Sequence, residues 1–317
     1  MQNFENQIEI NKNFKKKVMI LVTGATGQFG SKAVEHLLKN GVEPSAIAVF
    51  VRNSNKANDL EKGIDVREGD YTDHSSMVKA FTGIDKLLLV SSNNREAIEN
   101  RTQHHKNAIN AAKEAGVNHI VYTSFVRKPG FEDSAIADFQ NSHLETEKHL
   151  IESGLDYTIL QNGIYAEMIM AFLGDKIAET KSIFFPAGKG TARWVLREEL
   201  AEAAAHVLIT EGHKNKVYTL TNSEAVDFEF IAQNISEILG EEIDYTSPST
   251  NEFNAILQKA KVPEMYIDML AMWSTALKQQ AMDKEDDTLA SFLKREPTTV
   301  RKYLESYFIG DKTGKMF

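Results

Sequence analysis

The sequence contains no cysteine, and this absence excludes several kinds of chemistry. Without a thiol the chain cannot form disulfides, zinc–thiolate sites or iron–sulfur clusters, and it has no cysteine nucleophile. A cysteine-free chain also suits a reducing compartment, so we expect a cytoplasmic protein. Long hydrophobic runs are missing as well: residues 46–51 (AIAVFV) form one of the longest, whereas about 18 residues are needed to span a membrane. We therefore expect no membrane span.

Positive charge is also scarce. The chain has 36 lysines and arginines against 45 aspartates and glutamates, which gives a formal net charge of −9. A nucleic-acid site needs a clustered positive surface, so this balance disfavours nucleic acid as a partner. Residues 1–16 lack the apolar core of a signal peptide and the arginine and serine bias of a transit peptide. We interpret them as a mobile tail.

From residue 17 onward, short apolar runs alternate with helical segments. The pattern predicts helices between six strands, and this alternation is typical of an α/β fold with a Rossmann-type, doubly wound parallel sheet. The predicted strands are residues 18–22, 46–51, 64–68, 84–90, 119–123 and 157–160.

The regular alternation of strand and helix patterns ends after residue 162, which suggests that a second domain begins there. We predict an NADP-binding Rossmann domain over residues 17–162 and a smaller, mainly helical substrate domain over residues 163–317. A strand near residues 217–220 is expected to return to the Rossmann sheet. Further elements are predicted at 183–185 (strand) and 197–210 (helix).

A glycine-rich turn follows the first predicted strand. Gly24, Gly27 and Gly30 form the pattern G-x-x-G-x-x-G at the start of a helix. Glycines there allow a tight turn and a close backbone approach to a pyrophosphate, while the helix N-terminus supplies free N–H groups. Because this turn lies between a buried strand and an amphipathic helix, it predicts a dinucleotide site. The remaining residues assigned to it are Ala25, Thr26, Gln28 and Phe29.

The end of the second predicted strand indicates which dinucleotide. NAD-specific proteins usually have Asp or Glu there for the ribose 2′-hydroxyl, whereas this chain has Arg52, with Lys56 about one turn further on. A planar cationic fork suits a 2′-phosphate. We therefore expect NADPH to be preferred over NADH. The alternative is that Arg52 is a solvated loop charge.

Taken together, the motifs resemble the NmrA-like branch of the atypical short-chain dehydrogenase/reductase family. Within that branch the chain looks most like the bacterial type 2 NAD(P)H:quinone oxidoreductases, to which triphenylmethane reductase is related. The resemblance covers roughly residues 18–310 and weakens after residue 226. It rests on residues 23–30 (TGATGQFG), 51–53 (VRN), 69–71 (GDY), 86–92 (KLLLVSS), 119–124 (HIVYTS), 143–148 (HLETEK), 157–163 (YTILQNG), 212–220 (GHKNKVYTL) and 295–299 (REPTT).

The resemblance implies roles for further residues. Asp70 would approach the adenine, and Lys148 would bond the nicotinamide ribose hydroxyls. A segment at the end of the sixth strand would cover the nicotinamide. These positions follow the carboxyl ends of predicted strands, where open parallel sheets bind ligands. The other residues assigned in this way are Ser91, Ser92, Asn93, Asn162, Gly163 and Tyr165.

Two departures from related proteins affect the chemistry. Typical short-chain dehydrogenases have a tyrosine four residues before the lysine, where this chain has Leu144 before Lys148. Alcohol–ketone interconversion therefore lacks its usual general acid. A quinone needs less help, because its electron-poor ring accepts hydride directly. Gln161 stands where several relatives have arginine, which leaves open any contact made by that side chain.

Lys148 and Tyr165 are the candidate catalytic residues. Lys148 could place positive charge near a developing oxyanion, and Tyr165 could donate a proton or simply pack over the cofactor. No flavin motif is visible, so we expect hydride transfer without flavin. His143 and Glu147 have the spacing of a metal-binding pair but lack a third ligand, so we interpret them as a helix-surface pair and expect no metal.

Two functions remain open at this point. The first is an NADPH-dependent reductase of a quinone or a similar small aromatic acceptor. The second is a non-catalytic NADP(H)-binding redox sensor of the NmrA type that regulates a partner. The sequence does not identify the physiological acceptor or the oligomeric state. A planar acceptor needs an apolar slot, for which the candidates are Phe131, Tyr165, Met168, Phe172, Trp194 and Trp273.

Overall fold

The computed structural model describes residues 18–57, 60–92, 95–174 and 176–310 of the 317. The predicted tail over residues 1–16 and the predicted cofactor residue Asn93 lie outside these ranges. All the other predicted site residues lie within them, so their placement can be compared with the expectations from the sequence.

A seven-stranded parallel sheet forms the centre of the molecule, with the strand order β3-β2-β1-β4-β5-β6-β8. From β1 the chain passes to β2 and β3 on one side, and then crosses back to β4 on the other side. This reversal creates a crevice beyond the carboxyl ends of β1 and β4, the usual place for a ligand in such sheets. The strands are β1 (Ile20–Thr23), β2 (Ile47–Val51), β3 (Asp65–Glu68), β4 (Lys86–Leu89), β5 (His119–Phe125), β6 (Asp156–Asn162) and β8 (Lys216–Leu220).

Helices connect the strands and cover the sheet, as right-handed crossovers require. None of the helices within the described ranges is both long enough and apolar enough to cross a lipid bilayer. The first seven helices of the chain are α1 (Gln28–Lys39), α2 (His74–Phe81), α3 (Arg95–Glu114), α4 (Ala137–Glu152), α5 (Met168–Leu173), α6 (Ile177–Thr180) and α7 (Arg197–Ile209). Towards the C-terminus follow α8 (Phe228–Leu239), α9 (Thr250–Lys259), α10 (Glu264–Lys278), α11 (Thr288–Leu293) and α12 (Val300–Phe308).

The α/β architecture with a Rossmann-type sheet is confirmed, and each predicted strand exists within a few residues of its expected position. One strand was missed. The strand β9 (Asp244–Thr246) pairs in parallel with β7 (Ser182–Phe184) and forms a separate two-stranded sheet. β9 has polar residues at both ends and is largely exposed, so no apolar run marked it in the sequence.

Alternating side chains of the strands enter the two faces of the sheet. Ile20 and Val22 of β1 pack in the cluster that includes α1 and α7, whereas Leu21 packs on the opposite face with residues of α2 and α3. All three side chains are buried. Because neighbouring strand residues point to opposite faces, a strand buried on both sides appears as the continuous apolar run seen in the sequence.

A third apolar cluster lies beyond the carboxyl edge of the sheet and consists mainly of residues from 125 onward. Polar contacts join this region to the sheet: Lys284 Nζ donates to Thr219 Oγ1 at 2.9 Å, and the buried amide of Asn222 donates to Thr298 O at 2.9 Å. Arg295 Nη1 lies 2.7 Å from the buried carboxylate of Glu199 on α7. The C-terminal helices are therefore fixed against the sheet edge at which the site residues lie.

Candidate functional site

The turn after β1 depends on glycine at two positions. Gly24 has φ = +61°, which is in the left-handed region. A Cβ atom on Gly30 would lie 2.3 Å from the Gly24 carbonyl oxygen, so α1 approaches the turn too closely for any side chain. A Cβ on Gly24 would lie 3.5 Å from Cβ of Val90, just after β4. The turn therefore lies at the crevice between β1 and β4.

The N-terminus of α1 opens onto this turn without a local partner. Its N-cap residue, Gly27, has no side chain to accept a hydrogen bond, and the first turn contains no acidic residue. Thr26 and Gln28 are exposed, whereas Ala25 and Phe29 are buried and anchor the loop to the core. The exposed N–H groups and the positive end of the helix dipole suit an anion such as a pyrophosphate. The residues present therefore fit the phosphates of a dinucleotide.

Arg52 and Lys56 lie beyond the carboxyl end of β2, next to this turn in the sheet order. Both side chains are exposed, and neither forms an ion pair with any residue that the structure describes. The nearby carboxylate of Glu68 instead accepts a 2.7 Å hydrogen bond from the Ser54 amide and so fixes the loop after β2. Two exposed cations at this strand end, neither of them ion-paired within the part of the chain that the structure describes, suit a 2′-phosphate.

Asp70 follows β3 and is partly buried. Its Oδ1 accepts hydrogen bonds from the Thr72 hydroxyl at 2.6 Å and from the Thr72 amide at 2.8 Å. These bonds lower the pKa of Asp70, and the charge of Arg52 lowers it further. Oδ1 of Asp70 therefore stabilises the turn that contains Asp70 and Thr72. The adenine contact that the family resemblance implies remains a prediction for Oδ2.

Ser91 and Ser92 come directly after β4, as expected. The Ser91 amide donates to Thr123 Oγ1 at 2.8 Å, and that hydroxyl donates to Ser91 Oγ at 3.2 Å, so Ser91 ties β4 to β5. The hydroxyl of Ser92 is buried and has no hydrogen-bond partner among the described residues. Because a buried polar group without a partner is costly, Ser92 is the better candidate for contact with a bound molecule.

The end of β6 brings Asn162, Gly163 and Tyr165 to the same edge. A Cβ on Gly163 would lie 3.2 Å from the carbonyl oxygens of Arg193 and Leu220, so this glycine permits close chain packing. Both amide atoms of Asn162 are buried without a partner in hydrogen-bond geometry, although the amide lies near enough to the Tyr165 hydroxyl to lower its pKa slightly.

The guanidinium of Arg197 stacks over the ring of Tyr165. The Arg197 guanidinium carbon is 4.6 Å from the centre of the Tyr165 ring. Burial raises the pKa of Tyr165, and the nearby charge of Arg197 opposes that shift. Such a phenol stays protonated at neutral pH, although the raised pKa makes it a weaker acid. This placement is compatible with both roles predicted for Tyr165, a proton donor and a packing ring.

Lys148 lies on the exposed side of α4. Its side chain is 55% exposed and lies 3.3 Å from Glu145, which also faces Lys106 of α3 at 4.0 Å. One residue along a helix rotates the side chain by about 100°, so Lys148 points away from its buried neighbour Glu147. The ribose contact and the catalytic role expected of Lys148 remain predictions.

The face of α4 that meets the sheet carries His143 and Glu147 instead. Their exposed fractions are 2% and 5%, so the interpretation of these residues as a helix-surface pair is wrong. Glu147 accepts hydrogen bonds from Ser124 and from Arg127, whose Nη1 lies 2.9 Å from Oε1. Each side chain has its own hydrogen-bond partner on β5, Tyr122 for His143 and Ser124 for Glu147, and periodicity cannot reveal such tertiary contacts.

His143 makes hydrogen bonds through both ring nitrogens. Nε2 lies 3.2 Å from Arg101 Nη1, and Nδ1 lies 2.8 Å from the Tyr122 hydroxyl. A guanidinium can only donate, so Nε2 must accept and the proton must reside on Nδ1. Burial and the charge of Arg101 hold the pKa of His143 well below its usual value. The ring is therefore neutral and fixed in one tautomer.

Two clefts formed by the described residues lie away from the crevice. One, of about 270 Å³, lies at the amino ends of the strands and is lined by residues such as Lys86, His119 and Lys214. The other, of about 230 Å³, lies between the loop after β5 and the end of α10 and includes Phe131. The glycine turn and the unpaired polar groups, rather than cavity size, locate the candidate site.

Of the aromatic residues proposed for an acceptor slot, Phe172 and Trp194 belong to the buried cluster of the C-terminal region. Trp273 is also buried, packed against Phe139 with 5.6 Å between ring centres.

Within the described ranges, no group of three or more histidines, aspartates or glutamates is arranged to hold a metal ion. The expectation that the protein needs no metal remains a prediction.

Sequence reasoning did not identify Arg101, Arg127 or the role of His143. Arg101 is 2% exposed although it lies on α3, one of the most polar helices. Nothing in the spacing of charges distinguishes a buried arginine from a solvated one on such a helix. The only signal was the pair His143 and Glu147, whose spacing of four residues places both on one helix face.

Comparison with known proteins agrees with this geometry. Residues 24–211 match the family model described as NAD(P)H-binding. The chain is 35% identical over 292 residues to Quinone oxidoreductase 2 of Escherichia coli. The aligned residues cover 92% of this chain and 99% of that protein. It is also 27% identical over 297 residues to an NmrA-like family domain-containing oxidoreductase of Aspergillus flavus, covering 92% of this chain and 95% of that protein.

Solved structures give the same result. The Escherichia coli quinone oxidoreductase complexed with NADPH matches with a TM-score of 0.82 and 35% identity, covering 92% of this chain and all of that one. The triphenylmethane reductase of Citrobacter sp. complexed with NADP(H) matches with a TM-score of 0.83 and 35% identity, covering 90% and 99% of the two chains. The family resemblance suggested by the motifs is therefore confirmed. The chain belongs to the NAD(P)H-binding, NmrA-like family of oxidoreductases that includes Quinone oxidoreductase 2.

Proposed function

We propose that this protein transfers hydride from NADPH directly to a quinone or a similar electron-poor aromatic acceptor, without flavin. The single observation that carries the proposal is the identity of the residues on the inward face of α4. This face presents His143 and Glu147, both buried, and no tyrosine. A reaction that needs a phenolic acid at that position is disfavoured, whereas a quinone accepts hydride without one.

The cofactor half of the proposal rests on the crevice. The exposed N-terminus of α1 would hold the pyrophosphate, and Arg52 and Lys56 would hold the 2′-phosphate and make NADPH preferred over NADH. Bound NADPH supplies the hydride. The segment from Asn162 to Glu167 would cover the reacting ring and exclude water, with the protonated Tyr165 phenol available as a donor.

The names of the relatives favour an enzyme. Quinone oxidoreductase 2, triphenylmethane reductase and an NAD(P)H azoreductase of Xenophilus azovorans are all named for the reduction of an acceptor. No residue contact in this chain specifically favours the alternative, a redox sensor that binds NADP(H) without turnover. That alternative is therefore kept as an outcome of the experiment.

The test uses purified full-length protein whose visible spectrum shows no flavin. The protein is mixed with NADPH and benzoquinone, and the nicotinamide absorbance is followed, with NADH in a parallel series. We expect saturable turnover with both partners present and a lower KM for NADPH than for NADH. Tight NADPH binding without turnover across several quinones would overturn the enzyme and support the sensor.

A further inference from the structure

Arg101 is a buried cation whose described contacts are all neutral. Only 2% of its surface is exposed, and no carboxylate lies within ion-pair distance of its guanidinium among the side chains that the structure describes. Its Nε donates to Ser92 O at 3.1 Å, and Nη1 donates to His143 Nε2 at 3.2 Å. The guanidinium carbon stacks 4.6 Å from the centre of the Phe139 ring.

These neighbours compensate the charge only in part. Removing a guanidinium from water is costly unless an anion is close, and here burial lowers the pKa of Arg101 with no carboxylate to offset it. A neutral imidazole and an aromatic face give weaker stabilisation than a carboxylate. Among the side chains that the structure describes, the hydrogen-bond partners of the guanidinium are Ser142 and His143, and both contact Nη1. Arg101 therefore retains donors and charge for another molecule.

The position of Arg101 suggests what that molecule is. Ser92, whose carbonyl oxygen binds Arg101, ends β4 and carries a buried hydroxyl without a partner. Asn162, at the end of β6, carries a side-chain amide that is also buried without a hydrogen-bond partner among the described residues. The charge of Arg101 also reaches the Tyr165 hydroxyl and lowers its pKa. Two polar groups without a partner among the described residues, next to the charge of Arg101, indicate a bound molecule with an oxygen acceptor at this edge of the sheet.

We propose that Arg101 binds the carbonyl oxygen of the acceptor and stabilises the negative charge that this oxygen gains on reduction. The inference rests on the proposed function. Hydride brings two electrons and one proton to the quinone, which becomes a hydroquinone monoanion while NADPH becomes NADP⁺. Water then supplies the second proton. His143, held neutral by its environment, orients the guanidinium from behind.

A consequence is selectivity by charge. An uncompensated guanidinium at the acceptor site attracts neutral carbonyl compounds and phenolate-like anions, and it repels a cationic ring system. The protein should therefore reduce quinones in preference to cationic triphenylmethane dyes. This expectation depends on Arg101 and not on the structural similarity to triphenylmethane reductase.

Arg101→Leu and Arg101→Lys test the proposal in the full-length protein. The measured quantity is kcat/KM for benzoquinone divided by kcat/KM for crystal violet, a cationic dye, at saturating NADPH. We expect Arg101→Leu to lower this ratio by about 10–100-fold, the range for loss of a charged hydrogen bond, and Arg101→Lys to lower it less. Arg301→Leu, at an exposed arginine of α12, is the control and should leave the ratio unchanged. An unchanged ratio in a folded Arg101→Leu variant that binds NADPH would overturn the proposal.

A second measurement needs no turnover. 4-Nitrophenolate imitates the ring and charge of the reduced acceptor, and its binding can be followed by quenching of tryptophan fluorescence, because Trp273 packs against Phe139 beside Arg101. Arg101→Leu should weaken this binding about tenfold or more. Equal affinity in the wild type and the variant would contradict the anion site. If the wild type bound 4-nitrophenolate through Arg101 but reduced no quinone, only the proposed function would fail.

Discussion

Nε2 of His143 lies 3.2 Å from Nη1 of Arg101, and both side chains are buried beneath the carboxyl edge of the sheet. The contact joins α3 to α4 and fixes the protonation of the imidazole, because an arginine can only donate. It also gives the buried guanidinium a hydrogen-bond partner, although that partner is a neutral ring. The predictions below follow from this cluster and from the crevice next to it.

The first prediction concerns the buried histidines. Burial lowers the pKa of His105 to about 3 and of His119 to about 4, and holds that of His143 well below 6.5. The unfolded chain therefore takes up protons below pH 6.5 that the folded chain does not, so stability must fall as the pH falls through this range. We expect the free energy of unfolding to decrease by about 2 kcal/mol per histidine between about pH 7.5 and about pH 5.

Urea unfolding at several pH values measures this dependence. The window lies above the usual pKa values of carboxylates, so their contribution to the slope is small. His119→Asn, which keeps a polar group near Thr158, should reduce the slope by about one proton. Stability that is equal or greater at the lower pH would show that these histidines are not held neutral.

The second prediction concerns Arg52. Its side chain is exposed and has no ion pair among the described residues, so Arg52→Ala should leave the fold unchanged. We expect the KM for NADPH to rise by about 10–100-fold, because a charged contact to the 2′-phosphate is lost, and the KM for NADH to change little. Lys62→Ala, at another exposed lysine, is the control. An unchanged KM for NADPH would mean that Arg52 is only a solvated loop charge.

The third prediction separates two neighbours on α4. Lys148 is exposed, so Lys148→Ala should change kcat/KM for NADPH by less than about twofold. Glu147→Ala would leave Arg127 buried without its partner and should lower the free energy of unfolding by about 3–5 kcal/mol. Steady-state kinetics and urea unfolding of both variants provide the measurements. A loss of tenfold or more in Lys148→Ala would restore the role that the family resemblance implies.

The fourth prediction concerns the glycine turn. In Gly30→Ala the new Cβ would collide with the backbone of Gly24 at 2.3 Å, whereas in Gly27→Ala it would meet the same oxygen at 3.2 Å. We expect Gly30→Ala to abolish measurable NADPH binding or to prevent folding, and Gly27→Ala to weaken binding more mildly. Calorimetric titration with NADPH and thermal melts compare the two. Equal affinities in both variants and the wild type would place the pyrophosphate elsewhere.

The sequence predicted the sheet and the crevice well, because these depend on local patterns. Apolar runs such as residues 18–22 mark strands that are buried on both faces, and Gly24 and Gly30 mark a turn that no other residue can form. The orientation of α4 was not predictable in the same way. A shift of one residue, from Glu147 to Lys148, moves a side chain from the sheet to the solvent.

Buried polar residues were harder still. Arg101 belongs to a helix whose mean hydropathy is strongly polar, and its burial depends on contacts with β4 and α4 that are distant in sequence. His143 is buried for the same reason. Such clusters are fixed by tertiary hydrogen bonds rather than by periodicity, and here they lie where the chemistry is proposed.

Hydride transfer is tested most directly with NADPH that carries deuterium at the transferred position of C4. Flavin-free protein is mixed anaerobically with this cofactor or with ordinary NADPH, together with benzoquinone, and nicotinamide oxidation is followed in single turnovers. If hydride passes directly to the quinone, the deuterated cofactor reacts more slowly and hydroquinone forms in equal amount to NADP⁺. Saturable NADPH binding without any oxidation would contradict direct hydride transfer.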